Sequence, residues 1–436
     1  MHFHKVMRYG SLRLEIQTSS LPNGIIVGSV RDETAKRVSL GIGIRSGSRY
    51  ETTSFNGINH LVEHLVLEGF ASTEDNLRFI KEVEYSGASF DAETDREYVF
   101  YKLDTPSWNK TIKLFPLFAD IIIHPSFNNM SFEREKKVVL TELKRDIDNP
   151  ETYADDIIFA LLYPNQSIGL PIHGHEKTIR KISTKKICEL HAKYYTPRRI
   201  MVIGAGLVRH EELVKLAKQS LGSLCGRRIN DYFVVQHAIN IGKARYIAQR
   251  SSNESSYLVV GFDVSLVARS DRDKSALILL SSILGNGSSS RLFQKLRLSR
   301  GIGYDVKMQL YFSKSLVTAF ISVDCHESRD LDAAEQIIQA EIERAQDTLV
   351  QKSELRGHTE QLRRDIRNEI GNLDTLRYEL FHHILVKLPR NLYKEYHEIA
   401  RVRAADVRRV ARTYLNLNNY AVVRVEGTKN TQTTGA

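Results

Sequence analysis

The second half of this chain repeats its first, and that repeat constrains the fold more than any other feature. GIGYDVKMQ, at 301–309, answers GASFDAETD, at 87–95, so that Gly301, Tyr304 and Asp305 stand opposite Gly87, Phe90 and Asp91. SSYLVVGFDVSL, in the later half, answers an early strand-like run. SALILLSSILG, at 275–285, answers the helix-period run NGINHLVEHLVLEG, for which Gly69 is the expected stop. An internal duplication of strand-plus-helix modules is the simplest account. The rival account is chance similarity between two α+β domains.

The expected fold class is therefore α+β. Two homologous domains are expected, each a mainly antiparallel sheet packed with helices. The segment GSLCGRRINDY, 222–232, is polar, contains glycine and lacks apolar periodicity, so it reads as a linker between domains at 1–221 and 233–426. Residues 427–436, with GTKNTQTTGA at the very end, read as a disordered, solvated tail.

Local signals agree. LPNGIIVGSV and RVSLGIGIRSGSRYE are β-rich runs, the first led by a Pro-Asn-Gly turn. Ile58, Leu61, Val62, Leu65 and Val66 follow helical spacing. Helices are also expected at 77–83, 110–122, from about 132, and at 210–221; strands are expected at 98–103 and 200–208.

Composition removes several function classes. With 42% hydrophobic and 26% charged residues among 436, wholesale disorder is excluded. No apolar run approaches the roughly 18 residues of a membrane-spanning helix, so no membrane partner is expected. Three cysteines, Cys188, Cys225 and Cys325, lie far apart without a CxxC pair, which argues against a disulfide scaffold or a thiolate zinc site. The net charge of +10 arises from 62 basic and 52 acidic residues that are interspersed, so no nucleic-acid partner is expected. The start, MHFHKVMRYGSLRLEIQ, has no apolar stretch followed by a small-residue cleavage site. Cytoplasmic location is expected; the acid-poor run up to Glu15 keeps the mitochondrial matrix or a related organelle as the alternative.

The duplication breaks at one place that matters. Sliding Gly285 onto Gly69 sets Ala276, Leu279 and Leu280 against His60, Glu63 and His64. One copy carries core there and the other carries polar chemistry. In His60-Leu61-Val62-Glu63-His64 the two imidazoles, four apart, share a helix face and can reach one metal ion. Glu63 projects beside them, close enough to handle a metal-bound water. Composition alone gives such an H-x-x-[D/E]-H string only about 0.06 times in this length. Burying His, Glu and His in an apolar helix is costly without a compensating partner, which a metal supplies.

A third ligand is then required. The charged run FEREKKVVLTELKRDID, 132–148, offers Glu135 and Glu142, two helical turns apart on one face. One can ligate the metal while the other supports the site, although Glu-rich helices are common on solvated surfaces.

HLVEH followed some seventy residues later by EKKVVLTE resembles the inverted zinc metallopeptidases of the insulysin, pitrilysin and mitochondrial processing peptidase family. The likeness covers about residues 20–425 and is closest to the small, two-domain, processing-peptidase-like members. It implies His60, His64 and Glu142 as ligands of one Zn2+ per chain, Glu63 as catalytic base and Glu135 as the supporting acid. It makes residues 1–221 the zinc-binding domain and 233–426 the metal-free one. SSSRLFQKLRLSRGIGYDV resembles the family's second signature, which implies that Arg297 and Tyr304 contact substrate near the scissile bond. GASFDAETD resembles its substrate-pairing edge strand, implying contacts at Asp91 and Ala92. Asp91 stands where asparagine is usual, and a carboxylate accepts but does not donate. Glu151 and Asp155 match, with a one-residue gap, acids that bind a basic substrate side chain; Glu151 equally suits the first turn of a helix after Pro150. His173-Gly174-His175 and His382-His383 lack an acidic partner at ligand spacing and read as loop or surface features.

The resemblance implies a zinc-dependent endopeptidase acting on unstructured peptides or presequences. It also implies a homodimer, or a heterodimer with a paralogue. The alternative is a non-catalytic scaffold subunit of a heteromeric peptidase or membrane-associated complex.

Overall fold

A computed structural model of the chain describes residues 3–9, 12–67, 74–226, 240–250, 255–314, 316–386 and 392–427. Seven strands form one sheet: β1 (Phe3–Tyr9), β2 (Leu12–Ser20), β3 (Ile26–Asp32), β4 (Val38–Ile44), β5 (Ser89–Thr94), β6 (Val99–Thr105) and β7 (Ile200–Gly206), in the order β1-β2-β3-β7-β4-β6-β5. Five form the other: β8 (Lys243–Arg250), β9 (Ser256–Asp263), β10 (Gly303–Phe312), β11 (Val317–Cys325) and β12 (Tyr420–Gly427), in the order β10-β11-β9-β12-β8.

The duplication is written in these pairings. Reading β5-β6-β4-β7-β3 against β10-β11-β9-β12-β8 matches every neighbour, with the same sense at each step. The β3–β7 and β8–β12 pairs are parallel and the rest are antiparallel. GASFDAETD and GIGYDVKMQ thus build equivalent edge strands, β5 and β10. The fold is α+β with two homologous halves, as the repeat implies.

Strand interiors follow side-chain alternation. On β4, Leu40, Ile42 and Ile44 are buried in the first core with Leu61, Val62, Leu65 and Val66 of the helix Ile58–Leu67. Gly41 and Gly43 point to the opposite face. A Cβ on Gly43 would lie 2.0 Å from Cε2 of Phe381, so glycine is what lets the helix Leu373–Val386 lie against this face. That helix is anchored by buried Arg377, whose Nη1 donates to Ser39 Oγ (2.7 Å), Leu40 O (3.0 Å) and Asp104 Oδ1 (3.1 Å).

In the second half, Leu258, Val260, Ala276, Leu279, Leu280, Ile321 and Val323 share one core. Ala276, Leu279 and Leu280, on the helix Asp271–Gly285, are fully buried. Apolar residues stand there in place of the polar trio and fill the second core. The other face of this sheet is covered by the helix Pro150–Leu162, through Ala154, Ile158, Phe159 and Leu162 against Tyr257, Val259, Val423 and Val425.

The chain accordingly divides into two units, residues 1–143, 170–233 and 367–391 in one, and 144–169, 234–366 and 392–436 in the other. This differs from the expected division into 1–221 and 233–426 at two segments, 144–169 and 367–391. Each carries a helix that covers the outer face of the sheet of its unit. Helical periodicity reports that a face is apolar, not which sheet it covers. Of the expected linker, residues 222–226 are described; the rest of it, the helix stop at Gly69, and residues 428–436 of the expected tail lie outside the described residues.

Other boundaries fall close to expectation, with helices at Glu74–Tyr85, Trp108–Ile123, Asn129–Asp148 and His210–Leu221. All three cysteines are free. Among the described residues, no helix is long and apolar enough to cross a membrane.

Candidate metal centre

The site grows from the N-terminus of the helix Ile58–Leu67. This helix begins without a local N-cap side chain; its orphan amides are taken by Glu51, seven residues upstream. The Glu51 carboxylate accepts from Gly57 N (2.6 Å), Asn59 N (2.8 Å), Asn59 Nδ2 (2.9 Å) and Asn56 Nδ2 (2.8 Å). Burial pushes its carboxyl up to about 7 against the pull of these four donors. A negative group here also complements the helix dipole.

Four residues apart, His60 and His64 turn their Nε2 atoms toward each other at 3.2 Å. The helix Asn129–Asp148 brings Glu142 Oε2 to 3.1 Å from His64 Nε2 and 3.8 Å from His60 Nε2. Tetrahedral ligands about 2.0–2.1 Å from a zinc ion lie about 3.3 Å from one another, so this triangle has the dimensions of a divalent-metal site. Among the described residues these three form the one such group of His, Cys, Asp or Glu.

The ring nitrogens turned away from this triangle, Nδ1 of His60 and Nδ1 of His64, are buried without a hydrogen-bond partner. His64 Nδ1 faces Glu135 Oε2 at 3.6 Å, so one imidazole stands between the two carboxylates of the E-x6-E pair. Burial, then the neighbouring His173 and His64, hold His60 well below the ordinary histidine range, which keeps it neutral as a ligand must be. Burial lowers His64 too, but Glu135, Glu63 and Glu142 more than offset it and its pKa is raised. Burial likewise raises Glu135, and His64 and Arg134 outweigh it, leaving that carboxyl below its usual range.

Glu63 is 9% exposed and burial pushes its carboxyl up to about 7. Its Oε2 accepts from Thr94 Oγ1 at 2.6 Å. His60, Glu63 and His64 thus lie within five consecutive residues of one helix, and Glu142 reaches them from another.

The family follows from the sequence models that match. Residues 26–176 match the model described as insulinase, peptidase family M16, and residues 181–362 match the M16 inactive domain. The chain belongs to peptidase family M16.

An uncharacterised zinc protease of Bacillus subtilis is 29% identical over 295 residues, covering 67% of this chain and 69% of the relative. A second, from Rickettsia bellii, is 29% identical over 350 residues, covering 77% of this chain and 82% of the relative. Among solved structures, a protease from Helicobacter pylori superposes with a TM-score of 0.84 at 21% identity, covering 94% of this chain and 99% of that one. This likeness is one of fold.

The remaining expected M16 site residues fall as follows. Asp91 and Ala92 lie on β5, the last strand of its sheet, where Asp91 is exposed and ion-paired to Lys102 at 3.6 Å. Ala92 is partly buried against the core. In the other unit, Arg297 and Tyr304 are brought together: Arg297 Nη1 donates to Tyr304 O, and its guanidinium lies 4.0 Å from the Tyr304 ring centroid. A bulge in β10, between Gly303 and Val306, frees Tyr304 from the ladder and leaves it 63% exposed. Glu151 and Asp155 are exposed on the helix Pro150–Leu162, in that second unit; both charges act on Tyr257 and Lys307. Glu151 sits in the first turn, capped by Asn149.

Three neighbours of the metal centre were not legible as such. Glu51 carries no helix-cap spacing, and Thr94 is one of many strand threonines. His173, read as a loop feature, lies with its ring 4.3 Å from that of His60. Its segment is fixed by Asn56 Nδ2 to Pro171 O (2.8 Å) and Thr178 Oγ1 to Asn56 O (2.7 Å). His382 packs instead on Tyr378, with ring centroids 4.2 Å apart.

Proposed function

We propose that this chain is a zinc-dependent endopeptidase of the inverted HxxEH type, acting on unstructured peptides or presequences. The observation that carries this reading is the convergence of His60 Nε2, His64 Nε2 and Glu142 Oε2 within a triangle of zinc dimensions. His60, His64 and Glu142 would hold one zinc ion per chain, and Glu135 would orient His64 from behind. A zinc ion bound there polarises a peptide carbonyl and lowers the pKa of water.

The protein's own groups do the rest. Glu63 takes the proton of the attacking water at its free carboxylate oxygen and returns it to the departing amine. Burial suits it to this exchange near neutral pH, since an acid held close to the working pH both accepts and donates. Substrate lies extended along β5, adding a strand through backbone hydrogen bonds, with Asp91 and Ala92 beside it. Glu151 and Asp155 offer charge to a basic substrate side chain. Arg297 and Tyr304 supply donors for the oxygen that becomes negative as the tetrahedral adduct forms.

By the family resemblance the working form is a homodimer, with Arg297 and Tyr304 of one chain completing the zinc site of the other; a heterodimer with a ligand-less paralogue is the other arrangement. What favours an enzyme over a scaffold subunit is that all three ligands and the base are retained and the ligand atoms converge. The test is cleavage of a quenched fluorescent peptide by the zinc-loaded protein, with Glu63→Gln as control. Cleavage abolished in Glu63→Gln supports the proposal, and an inert wild-type protein refutes it.

A further inference from the structure

Glu63 has its direction set from outside its own helix. Thr94 Oγ1 donates to Glu63 Oε2 at 2.6 Å, and Thr94 is the last residue of β5. The strand that ends the sheet therefore carries the hydroxyl that holds this carboxylate.

The framework around this contact is built from both sides. β5 turns into β6 through Asp95 N to Tyr98 O (2.8 Å), and Thr94 pairs with Val99 across the turn. Arg96 and Glu97, within the turn, are buried at 3% and 4% exposure, and Arg49 forms a buried ion pair with Glu97. Arg49 N also donates to Arg96 O at 2.9 Å. Two residues further on, Glu51 fastens the start of the Glu63 helix through Gly57 N and Asn59 N. One short segment, residues 49–51, thus fixes both the strand end that carries Thr94 and the helix that carries Glu63. A carboxylate in a buried setting would otherwise have two or three rotamers to sample, and a single strong O–H···O⁻ bond selects one.

We propose that Thr94 is the positioning residue of the general base: its hydroxyl pins Oε2 of Glu63 to the end of β5 and so leaves Oε1 as the proton acceptor. The inference rests on the hydrolase reading above and deepens it. Since β5 is also the strand on which substrate is proposed to pair, one element sets both the line of the peptide and the direction of the base. Productive geometry then depends on a bond that touches neither substrate nor metal.

Thr94→Val removes the hydroxyl and keeps the shape, whereas Thr94→Ser keeps the hydroxyl. In the zinc-loaded protein, with a quenched fluorescent peptide, Thr94→Val is expected to lower kcat by about tenfold to a hundredfold with KM within about twofold of wild type. Thr94→Ser is expected to stay within about threefold in kcat, and both variants to keep the wild-type zinc content. Crystals of the metal-free proteins give a readout independent of turnover: Glu63 keeps one rotamer facing residue 94 in wild type and Thr94→Ser, and leaves it in Thr94→Val. If Thr94→Val does not fold, Thr94→Ala serves as the hydroxyl-free arm. Unchanged kcat and an unchanged Glu63 rotamer without the hydroxyl, or a Thr94→Ser protein as impaired as Thr94→Val, overturn the proposal. A wild-type protein that binds no zinc and cleaves nothing sinks the hydrolase reading instead, and the rotamer comparison still decides whether Thr94 holds Glu63.

Discussion

Nδ1 of His64 faces Oε2 of Glu135 at 3.6 Å while the other nitrogen of the same ring meets Glu142. A helix two turns long between the acids is what allows one imidazole to be held on both sides. On the proposed function, Glu135 orients the ring from the nitrogen that faces away from the metal. Glu135→Gln is therefore expected to weaken zinc binding by about tenfold to a hundredfold while leaving the stoichiometry intact at saturating zinc. Competition with a coloured chelator measures this, and an affinity equal to wild type would remove Glu135 from the site.

Protons and metal compete for His64. Its pKa is raised by Glu135, Glu63 and Glu142 against burial, so in the metal-free protein it carries a proton above the ordinary histidine range. That pairing stabilises the metal-free fold below the unfolded histidine pKa, about 6.5, and the contribution is lost as pH rises through the raised folded value. Zinc requires the neutral ring. The gain in Tm on adding zinc is thus expected to be larger at pH 8 than at pH 6. Paired thermal melts with zinc and with chelator give the answer, and a gain independent of pH would contradict the assignment.

Glu51 takes four donors at the head of the Glu63 helix, two of them backbone amides. Glu51→Ala leaves those buried N–H groups without an acceptor and is expected to cost about 2–4 kcal/mol of stability. Urea denaturation checks the magnitude. A cost below about 1 kcal/mol would mean that water replaces the carboxylate at no penalty.

On the opposite face of the same sheet, Gly43→Ala places a methyl group 2.0 Å from the Phe381 ring. The expected loss is about 2–3 kcal/mol, since Phe381 is fully buried and has little room to retreat. The same urea experiment reports it. A neutral substitution would show that the helix Leu373–Val386 is not held against β4.

Tyr304→Phe is expected to lower turnover of the zinc-loaded protein while leaving zinc content unchanged, because the hydroxyl lies on an exposed bulge and supports no core packing. Elemental analysis alongside peptide cleavage separates the two effects. Loss of zinc in this variant would show the role to be wrong.

The sequence carried the duplicated sheet because apolar alternation and turn residues are local signals, and the two halves print them twice. His60, Glu63 and His64 were legible because helical spacing turns sequence separation into proximity, whereas spacing offered Glu135 and Glu142 alike and only the family resemblance pointed to Glu142. The helices Pro150–Leu162 and Leu373–Val386 were legible as apolar helices only; which sheet each covers depends on Gly261 of β9 and Gly43 of β4, where a Cβ would meet Ile158 at 2.7 Å and Phe381 at 2.0 Å. Glu51 acts across 5 to 8 residues of chain, on Asn56, Gly57 and Asn59, and Thr94 across 31, on Glu63, through hydrogen bonds that leave no periodic trace.

The most direct test of the central claim is a zinc titration of the metal-free protein by calorimetry, repeated on His60→Ala, His64→Ala and Glu142→Ala. Saturation at one zinc per chain in the wild type, with affinity lost in each variant, is the predicted result. Wild-type protein that takes up no zinc, or variants that bind it as tightly, would contradict the assignment of these three side chains to one ion.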